Sequence, residues 1–287
     1  MDEQVEILII GGGPAGLSAA LNARARGKSL LVLSANAQES GLYKAERLDN
    51  YLGVPAVTGA EFIARCRAQA EEMGIPVKEG KVLSVMPMGG GFGVSFGPEV
   101  FSAKTVILAC GIVSKAAYPG EEALLGRGVS YCATCDGMLY RKKRVIVIAK
   151  SGHAVEEANF LNEIGCNVTV ISDGRDLTGL SDCLQIIGGR ALEILGTDRV
   201  ESVVVDGMVL PCDGVFILRN TVSMQTLIKG LELQDGHIKT GAGMATNIPG
   251  VFAAGDCAGR PYQVAKAVGE GQVAALAAAA YLDGKIA

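Results

Sequence analysis

The chain has 287 residues, of which 49% are apolar and 20% charged, with a formal net charge of −4. At roughly 150 residues per domain this predicts about two domains with real cores, and it excludes a disordered chain or an array of charged helices. The mildly acidic balance gives no whole-chain attraction to nucleic acid or anionic lipid. No basic n-region precedes Val5, and the longest apolar stretch, Val273 to Leu282, is about half the ~20 residues needed to span a bilayer, so a cytoplasmic protein with no membrane partner is expected.

In chain order, Val5 to Ile10 reads as a strand, Gly11-Gly12-Gly13-Pro14-Ala15-Gly16 as a tight turn, the Ala-rich segment to about Arg26 as a helix, and Leu30 to Leu33 as a second strand. This βαβ unit puts Gly11, Gly13 and Gly16 in the context that a dinucleotide fingerprint requires: after a strand and opening a helix. Gly13 lets the backbone approach a pyrophosphate, while Pro14 and Ala15 begin a helix whose N-terminus offers free N–H groups and a positive dipole. The acidic residue that ordinarily grips the ribose at the end of the second strand is missing; Ser34 stands there, and Ser34 or Asn36 is expected to make a weaker contact.

Thr58 and Glu61 are spaced as a capping box for a helix to about Met73. Three short strands are predicted around Val82 to Val85, Phe92 to Phe96 and Val100 to Phe101, as an antiparallel meander, followed by a buried strand Thr105 to Cys110. A boundary is expected near residue 114. A second βαβ unit runs through Val145 to Ile148, a helix His153 to Ile164, and strand Asn167 to Ser172, but Ala149, Ser151 and Ala154 occupy the fingerprint positions. A Cβ at residue 151 stands where a pyrophosphate must touch the backbone, and the single Arg175 between Asp173 and Asp176 suits a 2′-phosphate poorly. After a hairpin at Asp206-Gly207 this module is expected to end near Gln234. The strand ending at Gly255-Asp256 can then place a carboxylate on a ribityl hydroxyl, and a helix starting near Tyr262-Gln263-Val264 can aim its N-terminus at a flavin's pyrimidine edge.

Among eight cysteines only Cys132 and Cys135 are closely spaced, which does not resemble a secreted disulfide framework; the other six read as buried small hydrophobes. Cys132-Ala133-Thr134-Cys135-Asp136 is the sharpest chemical signal. A zinc site wants two more ligands, and the chain has no second close Cys pair and only His153 and His237, so no metal is expected. Beside a flavin, two such sulfurs can relay electron pairs to a substrate disulfide, with Asp136 a candidate acid.

The order of FAD fingerprint, Cys-Ala-Thr-Cys-Asp within an inserted second βαβ domain, and Gly-Asp-Cys near the C-terminus resembles the low-molecular-weight thioredoxin reductases over essentially the whole chain. Asn50-Tyr51-Leu52-Gly53, Gly126-Arg127-Gly128-Val129 ahead of Tyr131-Cys132, Asp235-Gly236-His237-Ile238-Lys239, and Pro261-Tyr262-Gln263 followed by Ala267-Val268-Gly269-Glu270-Gly271-Gln272 resemble the ferredoxin-dependent flavin branch. The resemblance implies two Rossmann-like three-layer α/β domains: an FAD domain from residues 1–113 and 235–287, interrupted by a nucleotide-domain-like module at 114–234 that carries the Cys pair. It also implies a homodimer, FAD held by Gly11, Gly13, Pro14, Ala15, Gly16, Ser34, Asn50, Gly255, Asp256, Tyr262, Gln263 and Val264, thioredoxin as disulfide substrate and reduced ferredoxin as donor. Within it Cys135 is the flavin-facing sulfur and Cys132 the interchange sulfur. The alternatives are an NADPH-dependent thioredoxin reductase using Lys150 as a phosphate contact, a flavin dithiol oxidase, and a non-enzymatic redox sensor. An acidic ferredoxin needs a basic landing surface; Arg141 to Arg144, or Arg260 with Lys266, are the candidates.

Overall fold

The computed structural model describes residues 4–111, 118–152, 154–189, 192–219 and 224–285. The chain divides into two compact units, Met1–Val113 with Ser223–Ala287, and Ser114–Val222. The junction expected near residue 114, and His153 at the expected start of a helix, lie outside the described residues.

The first unit starts with β1 (Val5–Ile10), α1 (Pro14–Ala25) and β2 (Leu30–Ser34), continues through α2 (Gly59–Glu72), and then forms β3 (Val77–Glu79), β4 (Val82–Met88), β5 (Gly91–Phe96) and β6 (Glu99–Leu108). Both halves of the Thr58–Glu61 capping box are present at the start of α2. The sheet order is β3-β2-β1-β6-β5-β4. β1 pairs parallel with β2 and β6, whereas β5 pairs antiparallel with β4 and β6. The two strands expected at Val100 to Phe101 and Thr105 to Cys110 are therefore one, β6. Its N-terminal half buries alternate residues, Phe101, Ala103 and Thr105, while Val106 to Leu108 are continuously buried, and this change of period reads in sequence as a break.

The second unit contains β7 (Val129–Ser130), the short α3 (Ala133–Asp136), β8 (Arg144–Ala149), α4 (Ala154–Glu163), β9 (Asn167–Ile171), β10 (Gln185–Ile187), an antiparallel trio β11 (Leu192–Leu195), β12 (Ser202–Val205) and β13 (Met208–Pro211), and β14 (Gly214–Leu218). Its main sheet is wholly parallel in the order β10-β9-β8-β14-β7. Val145, Val147, Val168, Val170, Phe216 and Leu218 from the strands pack with Ala154, Ala158 and Leu161 of α4. The β12–β13 hairpin turns at Asp206-Gly207, as its sequence predicts.

The chain re-enters the first unit with α5 (Met224–Leu227), β15 (Leu233–Gln234), β16 (His237–Ile238), β17 (Val251–Ala253) and the long α6 (Val264–Leu282). Residues 224–234, expected to close the inserted module, belong to the first unit instead. Ile228 bridges Val85 of β4, and β15 forms an antiparallel pair with β16, so the Asp235-Gly236 turn lies inside a hairpin and marks no boundary. β17 pairs parallel with β6, extending the sheet. Ile7, Ile9, Leu30, Val32, Ile107 and Phe252 of this sheet pack against alanines of α1 and α6. Small residues let these two helices approach closely: a Cβ on Gly271 would lie 2.1 Å from the Ala15 carbonyl oxygen, and the Ser18 hydroxyl donates to the Val268 carbonyl at 2.7 Å.

Candidate active site

The first glycine turn meets the geometric demands of the fingerprint. Gly11 has φ +118°, and a Cβ there would lie 2.1 Å from the Ala109 carbonyl oxygen. A Cβ on Gly16 would lie 1.8 Å from the Gly11 carbonyl oxygen. Gly13 differs: a Cβ there would meet no protein atom within 4 Å. Its small side faces open space, while Pro14 and Ala15 follow as the first residues of α1. No side chain caps this helix, and its first turn carries no acid. Uncapped N–H groups and open room in front of the second glycine are what an incoming pyrophosphate needs. Ser34 is buried, and its hydroxyl donates to the Ala35 carbonyl at 2.8 Å; the Asn36 carboxamide oxygen accepts from the Gln38 N–H at 2.9 Å. Both ribose candidates are thus bonded to their own neighbours.

The C-terminal segment comes back to this turn. A Cβ on Gly255 would lie 2.9 Å from the Ala15 side chain, so the Gly255-Asp256 corner sits beside the start of α1. The Asp256 carboxylate makes no hydrogen bond among the described residues; burial raises its pKa, against the lowering field of the Lys266 ammonium. Gln263 precedes α6, whose first turn, beginning at Val264, also lacks a side-chain cap. The Asn50 amide donates to the Gln263 side-chain oxygen at 2.9 Å, and the Tyr262 hydroxyl lies 2.7 Å from His237 Nε2. The predicted cofactor residues of the two ends of the chain, including Asn50, Tyr262 and Gln263, therefore meet within one unit. Lys266 does not face out as a landing charge: its ammonium donates to the Gly255 and Gly259 carbonyls at 3.1 and 2.7 Å and to Glu270 at 2.9 Å, clamping the loop around Asp256.

In the second unit Cys132 and Cys135 form a disulfide across the start of α3. Cys132 is the N-cap, and its Sγ accepts from the Cys135 N–H at 3.2 Å. The backbone donor at the start of α3 is thus aimed at the Cys132 sulfur. The two residues differ in exposure: Cys132 is 7% exposed, whereas Cys135 is exposed. The Ser130 hydroxyl donates to Asp136 Oδ2 at 2.7 Å and fixes that carboxylate at the end of the turn. The Ala133 N–H donates to Glu157 of α4 at 2.8 Å.

Behind the Cys turn lies a buried ion pair. Glu121, 0% exposed, accepts from Arg219 Nη2 at 2.9 Å and from the Tyr131 hydroxyl at 2.8 Å. The Arg219 guanidinium also faces the Tyr131 ring, 5.5 Å from its centroid. Burial, then the Glu121 charge, pushes the Tyr131 phenol well up, so it remains a donor. Removing one member of such a pair strands a buried charge and costs about 3–5 kcal/mol, so the residue before Cys132 is held firmly.

At the strand ends corresponding to the second fingerprint, packed side chains and an ion pair stand. Ser151 is 6% exposed, so its side chain is packed rather than open to a ligand. The Lys150 ammonium pairs with Asp173, just beyond β9, and lies 5.4 Å from the Tyr118 ring centroid. Burial lowers the Lys150 pKa, but Asp173 and Tyr118 outweigh it and the net shift is upward. Lys150 is thus neither a solvated loop residue nor a free phosphate ligand. The first turn of α4 carries Glu156 and Glu157, where α1 has no acid.

Residues 5–271 match the family model described as pyridine nucleotide-disulphide oxidoreductase. The chain belongs to that family. Within it the thioredoxin reductase of Treponema pallidum is 32% identical over 303 residues, covering 99% of both chains. Among solved structures, a ferredoxin-flavin thioredoxin reductase from Clostridium acetobutylicum superposes with a TM-score of 0.91 at 39% identity, covering 98% of each chain. A thioredoxin reductase from Gloeobacter violaceus gives 0.83 at 30% identity over 99% of this chain and 96% of its own.

As a disulphide oxidoreductase of the thioredoxin reductase type, the chain is an FAD flavoprotein with a Rossmann-type fold. The first unit fits that cofactor: Gly13 faces open room, α1 and α6 start uncapped, and the Asp256 carboxylate has no hydrogen bond among the described residues. Sequence reading missed Glu121, Tyr131, Arg219, Ser130 and Glu157. Glu121 and Arg219 are 98 residues apart and carry no periodic signal; only Glu157, in the first turn of a predicted helix near the Cys motif, could have been suspected. Among the described residues no cluster of His, Cys, Asp or Glu could hold a metal, and no helix is long and apolar enough to cross a membrane.

Proposed function

We propose that the chain passes electrons from reduced ferredoxin, through FAD and the Cys132–Cys135 pair, to the disulfide of thioredoxin, as a homodimer. Thioredoxin reduction is supported by the likeness to named thioredoxin reductases over nearly the whole chain. The donor assignment is carried by one observation, the closed strand ends of the second unit, where the Lys150–Asp173 pair, packed Ser151 and the two carboxylates of α4 stand where a nicotinamide dinucleotide would put its phosphates. The likeness to a protein named as a ferredoxin-flavin enzyme points the same way.

FAD is held by Gly11, Gly13, Pro14, Ala15 and Gly16 at the start of α1, and by Asn50, Gly255, Asp256, Tyr262, Gln263 and Val264 around the start of α6; bound there, it supplies acceptance of single electrons and delivery of pairs. Cys132 as thiolate attacks one sulfur of the thioredoxin disulfide and the other leaves as a thiol. Cys135 then attacks the mixed disulfide, releasing reduced thioredoxin and re-forming Cys132–Cys135. Two electrons and two protons return that disulfide to the dithiol. Asp136, anchored by Ser130, is the proposed proton carrier at the turn. Asp136 ends α3, one residue after Cys135.

Anaerobic absorption spectra of the purified holoprotein, titrated separately with NADPH, NADH and reduced ferredoxin, test the donor. Bleaching of the flavin by ferredoxin alone is expected. Rapid stoichiometric bleaching by NADPH would return the chain to the NADPH-dependent class.

A further inference from the structure

Arg67 keeps one edge of its guanidinium out of solvent without a partner. On α2 it shares a face with Ile63 and Ala70, both buried, and its side chain runs over the edge of that face, 34% exposed. Its Nε and Nη2 atoms are buried and have no hydrogen-bond partner. The nearest carboxylate oxygen, Glu79 Oε1, is 3.9 Å from Nη2, beyond hydrogen-bond reach. Native proteins rarely leave buried charged donors orphaned, and an orphan of this kind calls for a ligand.

The surroundings say which ligand. Arg67 Nη2 lies 3.9 Å from the position of a Cβ on Gly12, and Ser34 Oγ lies 2.5 Å from that same position. Glu79, at the end of β3, is in register with Ser34 at the end of β2. The guanidinium therefore sits over the carboxyl ends of the strands, beside the glycine turn, where a Rossmann fold receives the adenosine ribose of its dinucleotide. The acid that normally accepts from the ribose hydroxyls is replaced by Ser34, whose own proton goes to Ala35. Nε–H and Nη2–H form one edge of a planar fork, two parallel donors that match two neighbouring oxygens. A vicinal diol presents two such oxygens.

We infer that Arg67 is a cofactor-binding residue whose Nε–Nη2 edge donates to the two ribose hydroxyls of the adenosine half of FAD, replacing an acceptor with a pair of donors. The deflavo-protein, its Arg67→Met and Arg67→Lys variants, FAD, and an FAD analogue lacking the adenosine 2′ and 3′ hydroxyls form a cycle, with dissociation constants read from the quenching of flavin fluorescence. Wild-type protein should bind the analogue roughly 10- to 100-fold more weakly than FAD. Arg67→Met should bind the two equally, and at the wild-type affinity for the analogue, while Arg67→Lys, which keeps the charge and loses the fork, should recover only part of the discrimination. Two results overturn the inference: wild type that does not distinguish FAD from the analogue, or Arg67→Met that distinguishes them as wild type does. If Arg67→Met fails to fold, the wild-type and Arg67→Lys arms still decide.

Discussion

Replacing Gly13 and Gly16 by alanine separates two roles that one motif combines. Gly13 has φ −85° and ψ −173°, which alanine adopts without strain, and its Cβ would touch no protein atom within 4 Å. The loss of unfolded-chain entropy in Gly13→Ala and the poorer N-cap roughly cancel, so the deflavo-protein should keep its stability within about 0.5 kcal/mol. The added methyl instead enters the space in front of α1. Weakening one charge-assisted hydrogen bond from a backbone N–H to the pyrophosphate costs about 1.5–3 kcal/mol, which raises the FAD dissociation constant roughly 10- to 150-fold. Gly16→Ala puts its methyl 1.8 Å from the Gly11 carbonyl oxygen, a contact that only backbone movement relieves. Overpacking of this kind costs about 1–3 kcal/mol and should lower the melting temperature of the deflavo-protein by roughly 2–12 °C. Melting curves by circular dichroism and fluorescence titration with FAD read the two effects independently. Gly13→Ala with wild-type affinity, or with a deflavo-protein that melts as low as Gly16→Ala, would refute the assignment of Gly13 to the pyrophosphate.

The roles of the two sulfurs follow from single substitutions: Cys132→Ser should reduce thioredoxin turnover to background yet keep the long-wavelength charge-transfer band between Cys135 and the flavin, and finding the band only in Cys135→Ser would reverse the order. In the first unit, the Lys28 and Lys285 ammonium groups hold the Asp283 carboxyl down at about 2, from an ordinary 3.8. Because the folded value is the lower one, the contact stabilises fully above about pH 4 and is lost as pH falls from there to about 2. Lys28→Met, removing the 2.6 Å partner, should move the Asp283 titration seen by NMR back toward the ordinary value; an unmoved titration would contradict the pairing.

What the sequence shows plainly is what a local rule encodes. The glycine turn, the Thr58–Glu61 box and the Asp206-Gly207 hairpin each depend on residues a few positions apart, and each forms as read. The single strand β6 is hidden because its burial pattern changes where its neighbours change, alternating up to Thr105 and continuous from Val106 to Leu108, where β1 and β17 flank it on both sides. The boundary at 222 is hidden because the Asp235-Gly236 turn looks like a linker yet joins β15 to β16. Arg67 is hidden for a different reason: on a helix with Arg65, Arg67 and three glutamates it looks like one more solvated charge, and only its phase with Ile63 and Ala70 sets it apart. The Glu121–Arg219 and Lys150–Asp173 pairs join residues whose proximity is a product of the parallel sheet.

The two units place the same βαβ topology under opposite chemistry, and the difference is confined to the strand ends. Interior strands are equally apolar in both, Ile7 and Ile9 in one and Val145 and Val147 in the other, each packed on an alanine-bearing helix. At the first turn, however, one unit has Gly13 facing open room before an uncapped helix, and the other has a packed Ser151, an ion pair between Lys150 and Asp173, and acids in the first turn of the helix. Closing such an end leaves the core untouched, because ligand contacts in this fold lie outside the carboxyl ends of the strands. The closed end has also acquired other work. Glu157 of α4 accepts from the Ala133 N–H at the start of the Cys turn, and Arg219, just past β14, holds Glu121 and through it Tyr131, the residue before Cys132. Elements that in an open nucleotide domain would frame a ligand here fix the position of a disulfide, which, under the proposed donor assignment, is a physical reason for keeping the second domain.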